Sequence, residues 1–264
     1  LKNNLQCGRN CLEVCLDKME KSENTNNHML LWGIGQQPAL YIKLCETALR
    51  TIVYRDLIDR NAGTEDEDGN MRPIPDIQLI LTSTKVPKRI RELSSDAVEK
   101  FVVIKGIVIA AKRLEHKALK IGIQCRDCGH FKLISGHEGI GDTLLPRTCD
   151  NKRINTEGAR CSADPFQIIP ERCEYNDFQN LRLQELPEDV PTGEVPRHIS
   201  VFLPGYLVDT TKAGSRVIIS GIWTTVKMAE GRNANDRKSV HNSYLHAYGI
   251  TSLEEEETAG WMRF

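Results

Sequence analysis

Four cysteines near the middle of the chain have the spacing of a metal site. They are Cys125, Cys128, Cys149 and Cys161. A Cys-x2-Cys pair directs two thiolates at one tetrahedral ion, and two further thiolates complete the coordination shell of Zn²⁺. Because four thiolates leave no coordination position for water, the pattern predicts a structural zinc ion rather than a catalytic one.

The second half of this pattern is looser than the first. Eleven residues separate Cys149 from Cys161, whereas two separate the first pair. Three other side chains are alternative ligands: His130, His137 and Cys173. Segment 125–161 has almost no core of its own. Zinc binding, which contributes on the order of 10 kcal/mol in small modules, is therefore expected to stabilise it.

No other pattern in the sequence predicts catalysis. The chain has no Gly-x4-Gly-Lys-[Ser/Thr] phosphate loop, no Gly-x-Ser-x-Gly and no His-Glu-x2-His. The acidic runs at 65–68 and 254–257 are interpreted as solvated surface. A zinc hydrolase or nuclease is disfavoured, since neither an open metal position nor paired acidic ligands are visible. We therefore expect no active site in this chain.

Composition and charge narrow the class further. Nine cysteines, an odd number with one tight pair, favour a reducing compartment and a metal site over a disulfide scaffold. The apolar runs are too short to cross a membrane, and the first residues lack a secretory signal. The net charge is −1, yet residues 82–132 carry twelve basic against five acidic side chains. This segregation predicts a basic face, with ordinary solvated surface as the alternative.

The elements that must hold the metal site begin with helices. Apolar spacing predicts a helix from Leu5 to Met19, with Cys7, Cys11 and Cys15 along one face. These thiols are interpreted as core residues, metal binding being the alternative. A second helix is predicted from about Pro38 to Ile58, followed by a polar acidic loop. Segment 88–101 predicts a short helix or turn.

After Phe101 the chain alternates β-rich runs with turns, which predicts a sheet-based domain. Glycines inside the predicted strands, Gly106 and Gly221, favour a small curved barrel over a flat sheet. The four-cysteine segment interrupts the series between the second and third predicted strands. Trp223 has apolar neighbours within a strand and is interpreted as a core residue.

Two stretches carry a resemblance to a known family. Residues 177–197, DFQNLRLQELPEDVPTGEVPR, resemble a segment of the minichromosome maintenance (MCM) helicases. Residues 207–217 resemble a second family segment, with Ala213 and Ser215 replacing the usual Pro and Asp. The subunit-five type is most similar, through GIVIAA at 106–111, IQCRDC at 123–128 and PFQIIP at 165–170. The resemblance covers roughly residues 37–253.

The resemblance implies an α+β fold in four parts. Residues 1–97 would form a helical A-subdomain, and residues 98–124 with 162–253 a discontinuous oligonucleotide-binding (OB) barrel. Residues 125–161 would be a zinc-binding insertion. Residues 254–264 would begin a linker to an AAA+ ATPase domain, which is absent here. ATP and Mg²⁺ would bind only in that motor, and the parent protein would be an ATP-dependent DNA helicase.

The resemblance also implies DNA contacts, from basic groups of the barrel and of a β-hairpin in the polar insertion 227–242. These residues are Lys112, Arg113, Lys117, Lys120, Arg182, Lys227, Arg232, Arg237 and Lys238. For each of them, plain surface charge is the alternative. A loop communicating between the N-terminal and motor tiers would include Gln184, Glu185, Glu194 and Arg197.

The partners implied are single- and double-stranded DNA, related subunits in a hetero-hexameric ring, and replication initiation and fork factors, in the nucleus and without a membrane. The competing hypothesis is a stand-alone single-stranded DNA-binding protein, similar to replication protein A, with an inserted zinc ribbon. That class predicts exposed aromatic side chains at base-stacking spacing. It gives no reason for the segment 177–197.

Overall fold

The computed structural model describes residues 9–21, 25–59, 76–83, 85–141, 143–151, 161–226 and 242–253. The helices are α1 (Leu16–Glu20), α2 (Thr25–Gln36) and α3 (Pro38–Asp59). The strands are β1 (Cys11–Cys15), β2 (Gln78–Thr82), β3 (Lys100–Ala111), β4 (Glu115–Cys125), β5 (Phe131–Ser135), β6 (Phe166–Ile168), β7 (Glu174–Gln184), β8 (His198–Pro204), β9 (Arg216–Val226) and β10 (Asn242–Ser252). No described helix combines the length and the apolar character that a membrane span requires.

Five strands close into a barrel. β3 is antiparallel to β9 and to β7, β7 is antiparallel to β8, β8 is parallel to β10, and β10 is antiparallel to β9. This cyclic order, with one parallel pair, is the topology of the predicted OB barrel. Branched side chains fill its interior. Among them are five with 0% exposure: Ile104, Leu183, Leu203, Ile219 and Leu245.

The curvature of the barrel depends on glycine at a strand crossing. β3 pairs with β9 up to Ile107 and with β7 from Ile107 onward. Gly106 lies at this change of partner, where a Cβ atom would stand 2.6 Å from the carbonyl oxygen of Gln184. The glycine predicted to favour a curved barrel thus lies where the backbones of two strands approach closely.

Further strands lie outside the closed barrel. β4 pairs with β5, with β6 and with the first half of β7. Residues 112–173 therefore lie between the first and second barrel strands, and this excursion includes the four-cysteine segment 125–161. The length of β7 allows this arrangement, since its two halves pair with β4 and β3 respectively.

The predicted helix from Leu5 to Met19 is also wrong over part of its length. Cys11–Cys15 forms β1, parallel to β2, and only Leu16–Glu20 is helical. Leu12 and Val14 pack toward the helices, while Glu13 between them is exposed. This alternation is the two-residue period of a strand, and pairing with β2 stabilises it over the helical period. Residues 1–8 lie outside the described part of the chain.

The helix predicted from Pro38 is confirmed, since α3 begins there. Between β2 and β3, two 3-10 turns, Ile90–Glu92 and Ser95–Ala97, lie where a short helix or turn was predicted. We call residues 85–98 the connector, because they lead from the N-terminal elements into the barrel. The backbone of Lys88 bridges to β3, donating to the carbonyl oxygen of Val103 at 2.8 Å.

Candidate metal centre and nucleic-acid interface

The four predicted thiols come together at the end of the insertion. The sulfur atoms of Cys125, Cys128, Cys149 and Cys161 all lie within 4.8 Å of one another, and the second and third are 3.6 Å apart. A tetrahedral zinc ion with Zn–S bonds of about 2.3 Å requires sulfur–sulfur separations of about 3.8 Å. The donor set and its spacing therefore fit one metal ion such as zinc.

A tight turn shapes the first half of the site. The amide of Cys125 donates to the carbonyl oxygen of His130 at 2.9 Å, and the amide of Gly129 donates back to Cys125 at 3.0 Å. Gly129 has φ of +69°, a conformation that glycine adopts without steric cost. The sequence Cys-x2-Cys-Gly thus folds locally into a knuckle that places two sulfurs on one side.

A carboxylate joins the two halves of the site. Asp127 Oδ2 accepts hydrogen bonds from Oγ and the amide of Ser162, at 2.7 and 2.6 Å. These two hydrogen bonds, of which the one from the hydroxyl has the larger effect, hold the pKa of Asp127 below its usual range. Because Ser162 follows Cys161, this carboxylate fixes the last thiol relative to the first pair. Sequence reasoning missed this contact, although a polar residue inside the knuckle was visible.

The surroundings of the thiols shift their pKa values in opposite directions. The amide of His130 donates to the thiol of Cys128 and lowers its pKa to about 6. Burial and the neighbouring sulfurs raise the pKa of Cys161 to about 12. Four thiolates this close repel one another, so all four ionise together only when a positive ion offsets their charge.

The alternative ligands lie outside the four-sulfur group. The thiol of Cys173 donates to the carbonyl oxygen of Ile169 at 3.2 Å, and the amide of His137 donates to Thr143 at 2.9 Å. Among the described residues, the four cysteines form the one group of potential ligands. Ile123 and Phe166 pack beneath them, which anchors the site to β4 and β6.

The predicted DNA-contacting residues fall into different surroundings. Lys112 and Arg113 occupy the exposed turn between β3 and β4. The backbone of Lys112 is fixed on both sides, since its amide donates to Asn180 and its carbonyl accepts from Gln179, both at 2.9 Å. Within the described part of the chain, neither basic side chain has an ion-pair partner.

Lys117 and Lys120 of β4 are engaged in contacts within the chain. Lys117 donates to the carbonyl oxygens of Gly139 and Gly141, the second at 2.6 Å. Lys120 forms an ion pair with Glu174 at 2.6 Å. Both side chains are thus engaged within the chain, unlike the exposed side chains of Lys112 and Arg113.

Arg182 lies close to that turn. It faces Ala110 across the β3–β7 ladder, two residues before Lys112. Its guanidinium is 2.6 Å from Nε2 of His198, and both line a cavity of about 470 Å³ with Arg197 and Trp223. The prediction that the tryptophan is a core residue is confirmed, because it is 8% exposed.

The hairpin residues are not among those described. Lys227, Arg232, Arg237 and Lys238 lie outside the described part of the chain, in the gap between β9 and β10. β9 and β10 pair up to that gap, with Val226 opposite Asn242. Val226 and Asn242, which flank that gap, are thus neighbours, and Asn242 also lines the cavity.

The segment 184–197, which we call the loop, is anchored by a buried carboxylate. Glu185 is 1% exposed and accepts hydrogen bonds from Arg91 and from the amide of Arg197. The hydrogen bonds from Arg91, chiefly, lower the pKa of Glu185. Gln184 pairs with His198, and the carboxylate of Glu194 binds the same arginine.

Arg91 was missed by sequence reasoning. It lies in the connector, 94 residues before its partner Glu185. The available signal was a charge pattern, because the loop is acidic whereas the connector is basic. That pattern indicates complementary segments but not which residues pair.

Comparison with known proteins agrees with this geometry. Residues 89–227 match the family model of the MCM OB domain. The chain is 36% identical over 95% of its length to "DNA replication licensing factor Mcm5" of Drosophila melanogaster, covering 33% of that protein. It is 35% identical over 95% of its length to mcm5-B of Xenopus laevis, covering 33%, and 32% identical over 88% to MCM5 of Arabidopsis thaliana, covering 32%.

The chain spans about a third of the length of these curated relatives. The family model covers more than half of the chain, including the barrel strands up to β9 and the whole insertion. The chain therefore belongs to the MCM family and is of the subunit-five type.

Proposed function

We propose that this chain is the DNA-binding and ring-forming N-terminal part of an MCM replicative helicase subunit. Its relatives are named DNA replication licensing factors, and an OB barrel is a common fold for binding nucleic-acid strands. The role would lie in replication initiation and fork unwinding, in the nucleus. Family membership disfavours the stand-alone alternative similar to replication protein A.

The observation that carries the proposal is the β3–β7 register. It places Arg182 opposite Ala110, at the end of β3 that leads directly into Lys112 and Arg113, and Arg182 lines the cavity together with Arg197. Basic groups on a fixed backbone suit phosphate contacts, which position DNA without reading its sequence. The buried Trp223 argues against base stacking at this position.

Equilibrium binding to a single-stranded oligonucleotide at several salt concentrations tests this interface. We expect binding indifferent to sequence, with affinity falling linearly with salt on logarithmic axes. Changing Lys112, Arg113 or Arg182 to Ala should each lower the slope by about 0.7, the value for one lost phosphate contact on a single strand. Arg55→Ala, an exposed arginine on α3, is the matched control. Affinity that is independent of salt would contradict the proposal.

We further propose that the metal is Zn²⁺ and that its role is structural. Cys125, Cys128, Cys149 and Cys161 would hold it as thiolates. A bound ion would offset their charge and fix the two ends of segment 125–161 together. Without an open position it would take no part in chemistry.

The remaining functions depend on sequence that the relatives have and this chain does not cover. Related MCM subunits would complete a hetero-hexameric ring, and an AAA+ motor domain would bind ATP and Mg²⁺. In such a ring, weak binding by each subunit adds up to strong binding. Measuring affinity for a long strand with the isolated chain and with an assembled ring tests this. Equal affinities would argue against a contribution from avidity.

A further inference from the structure

The loop, residues 184–197, is held to its surroundings by charge. Each of its four acidic residues forms an ion pair with a basic group outside it. The pairs are Glu185 with Arg91 at 2.8 Å, Glu188 with Arg216 at 3.0 Å, Asp189 with Lys105 at 2.9 Å, and Glu194 with Arg91. The anchoring groups come from the connector, β3 and β9.

Arg91 differs from the other anchors because it binds both ends of the loop. Its Nε and one terminal nitrogen donate to the two oxygens of Glu185, at 2.9 and 2.8 Å. The other terminal nitrogen donates to Glu194, nine residues later. The side chain of Arg91 is 14% exposed, so the surrounding chain restricts its position.

The chemistry of these contacts requires arginine. A planar guanidinium offers parallel donors to one carboxylate and a further donor to a second, whereas an ammonium is a point charge. The remaining donor to Glu185 is the amide of Arg197, at 2.9 Å. The buried carboxylate is therefore saturated only while Arg91 is present.

We propose that Arg91 is a positioning residue that ties both ends of the loop to the connector, so that the loop follows any displacement of the connector. The connector leads from the N-terminal elements, and the loop is the segment assigned above to inter-tier communication. The use of this linkage in a ring rests on the proposed function. The linkage itself is a property of this chain.

The two ends of the linkage differ in strength. Glu185 is shielded from solvent, while the side chain of Glu194 is 54% exposed. Salt shortens the Debye length from about 10 Å at 0.1 M to about 3 Å at 1 M, which weakens exposed pairs more than buried ones. Raising salt should therefore release the end of the loop at Glu194 while the end at Glu185 stays bound.

Amide hydrogen exchange on the metal-loaded chain tests the proposal. In Arg91→Met, the amides of Val190 and Glu194, which donate to carbonyl oxygens inside the loop, should exchange about tenfold faster or more, because both ends lose their anchor. Glu194→Gln should accelerate the same amides less, and Arg91→Lys should fall between these variants. Amides of the barrel strand β9 are the internal reference. Arg55→Met, on the exposed face of α3, is the matched control.

Unchanged loop exchange in Arg91→Met, with the variant folded, would overturn the proposal. So would equal acceleration of the loop and of β9, since that outcome means general destabilisation. If Arg91→Met does not fold, Glu194→Gln and the salt series on the unaltered chain give the same answer. None of these readouts involves DNA, so failure of DNA binding would leave this result standing.

Discussion

The barrel and the insertion are stabilised by different means. Among the described residues, sixteen buried side chains form the barrel cluster, whereas the insertion cluster has four, one of which is the metal-site residue Cys125. The barrel is therefore stable through burial of apolar surface, which needs no ligand. We propose that the insertion depends on a bound metal ion instead. The chain would then contain one region stabilised by its apolar core and one whose folding is coupled to metal binding.

The largest expected effect is the loss of structure in the insertion when metal is removed. Chelation should abolish protection from exchange and from proteases across segment 125–161, because the four thiols then repel or protonate. The barrel should stay folded, with β9 and β10 still protected. Cys128→Ser should have the same effect without a chelator. Persistent protection of the insertion in metal-free protein would show that its small core suffices.

Truncation of the barrel core is expected to destabilise the barrel while the metal site stays intact. Leu203→Ala removes a 0% exposed side chain and should lower the free energy of unfolding by about 2–5 kcal/mol. Zinc stoichiometry below the unfolding transition should stay at one ion per chain. The control is Leu144→Ala, since that leucine is 92% exposed. Metal loss at low denaturant concentration would show that the two regions are not separable.

A smaller effect concerns the dependence of stability on pH. The pKa of Glu185 is lowered in the folded chain, chiefly by Arg91, from an ordinary value of 4.5. Its stabilising contribution is therefore present above pH 4.5 and is lost as the pH falls through the folded pKa. Chemical denaturation should show that Glu185→Gln lacks this part of the acid sensitivity. Parallel pH curves for both proteins would disprove the assignment.

The smallest effect is expected from the Asp127–Ser162 hydrogen bonds, which join the two halves of the metal site. Asp127→Asn keeps one acceptor for Ser162 but removes its charge, so the hydrogen bonds become weaker rather than vanish. Competition with a metal chelator should show that the affinity for the metal falls by no more than about tenfold. That is the lower end of the loss expected when a residue that contacts a ligand, but is not itself a ligand, is changed. The neighbouring Arg126→Gln is the control. An effect as large as that of Cys128→Ser would make Asp127 essential to the site.

The parts predicted from sequence are those fixed by local pattern. The Cys-x2-Cys-Gly motif specifies a knuckle through its own backbone, and Pro38 marks the start of a helix. Glycine inside an apolar strand predicted a curved barrel, and Gly106 lies where close backbone approach excludes a side chain.

The parts that were wrong or missed depend on long-range contacts. Cys11–Cys15 has a helical period but becomes a strand by pairing with Gln78–Thr82. The position of β4 follows from how β7 divides its length between two partners. Arg91 meets Glu185 across 94 residues, and no local propensity reports such a pairing.

We propose that this chain meets DNA at the β3–β7 ladder of the barrel. NMR titration of the metal-loaded chain with a short single strand at low salt locates the contact directly. We predict the largest amide perturbations at residues 110–113 and 180–182, and their loss at high salt. Perturbations confined to segment 125–161, with the ladder unaffected, would contradict this proposal and place the interface on the four-cysteine segment.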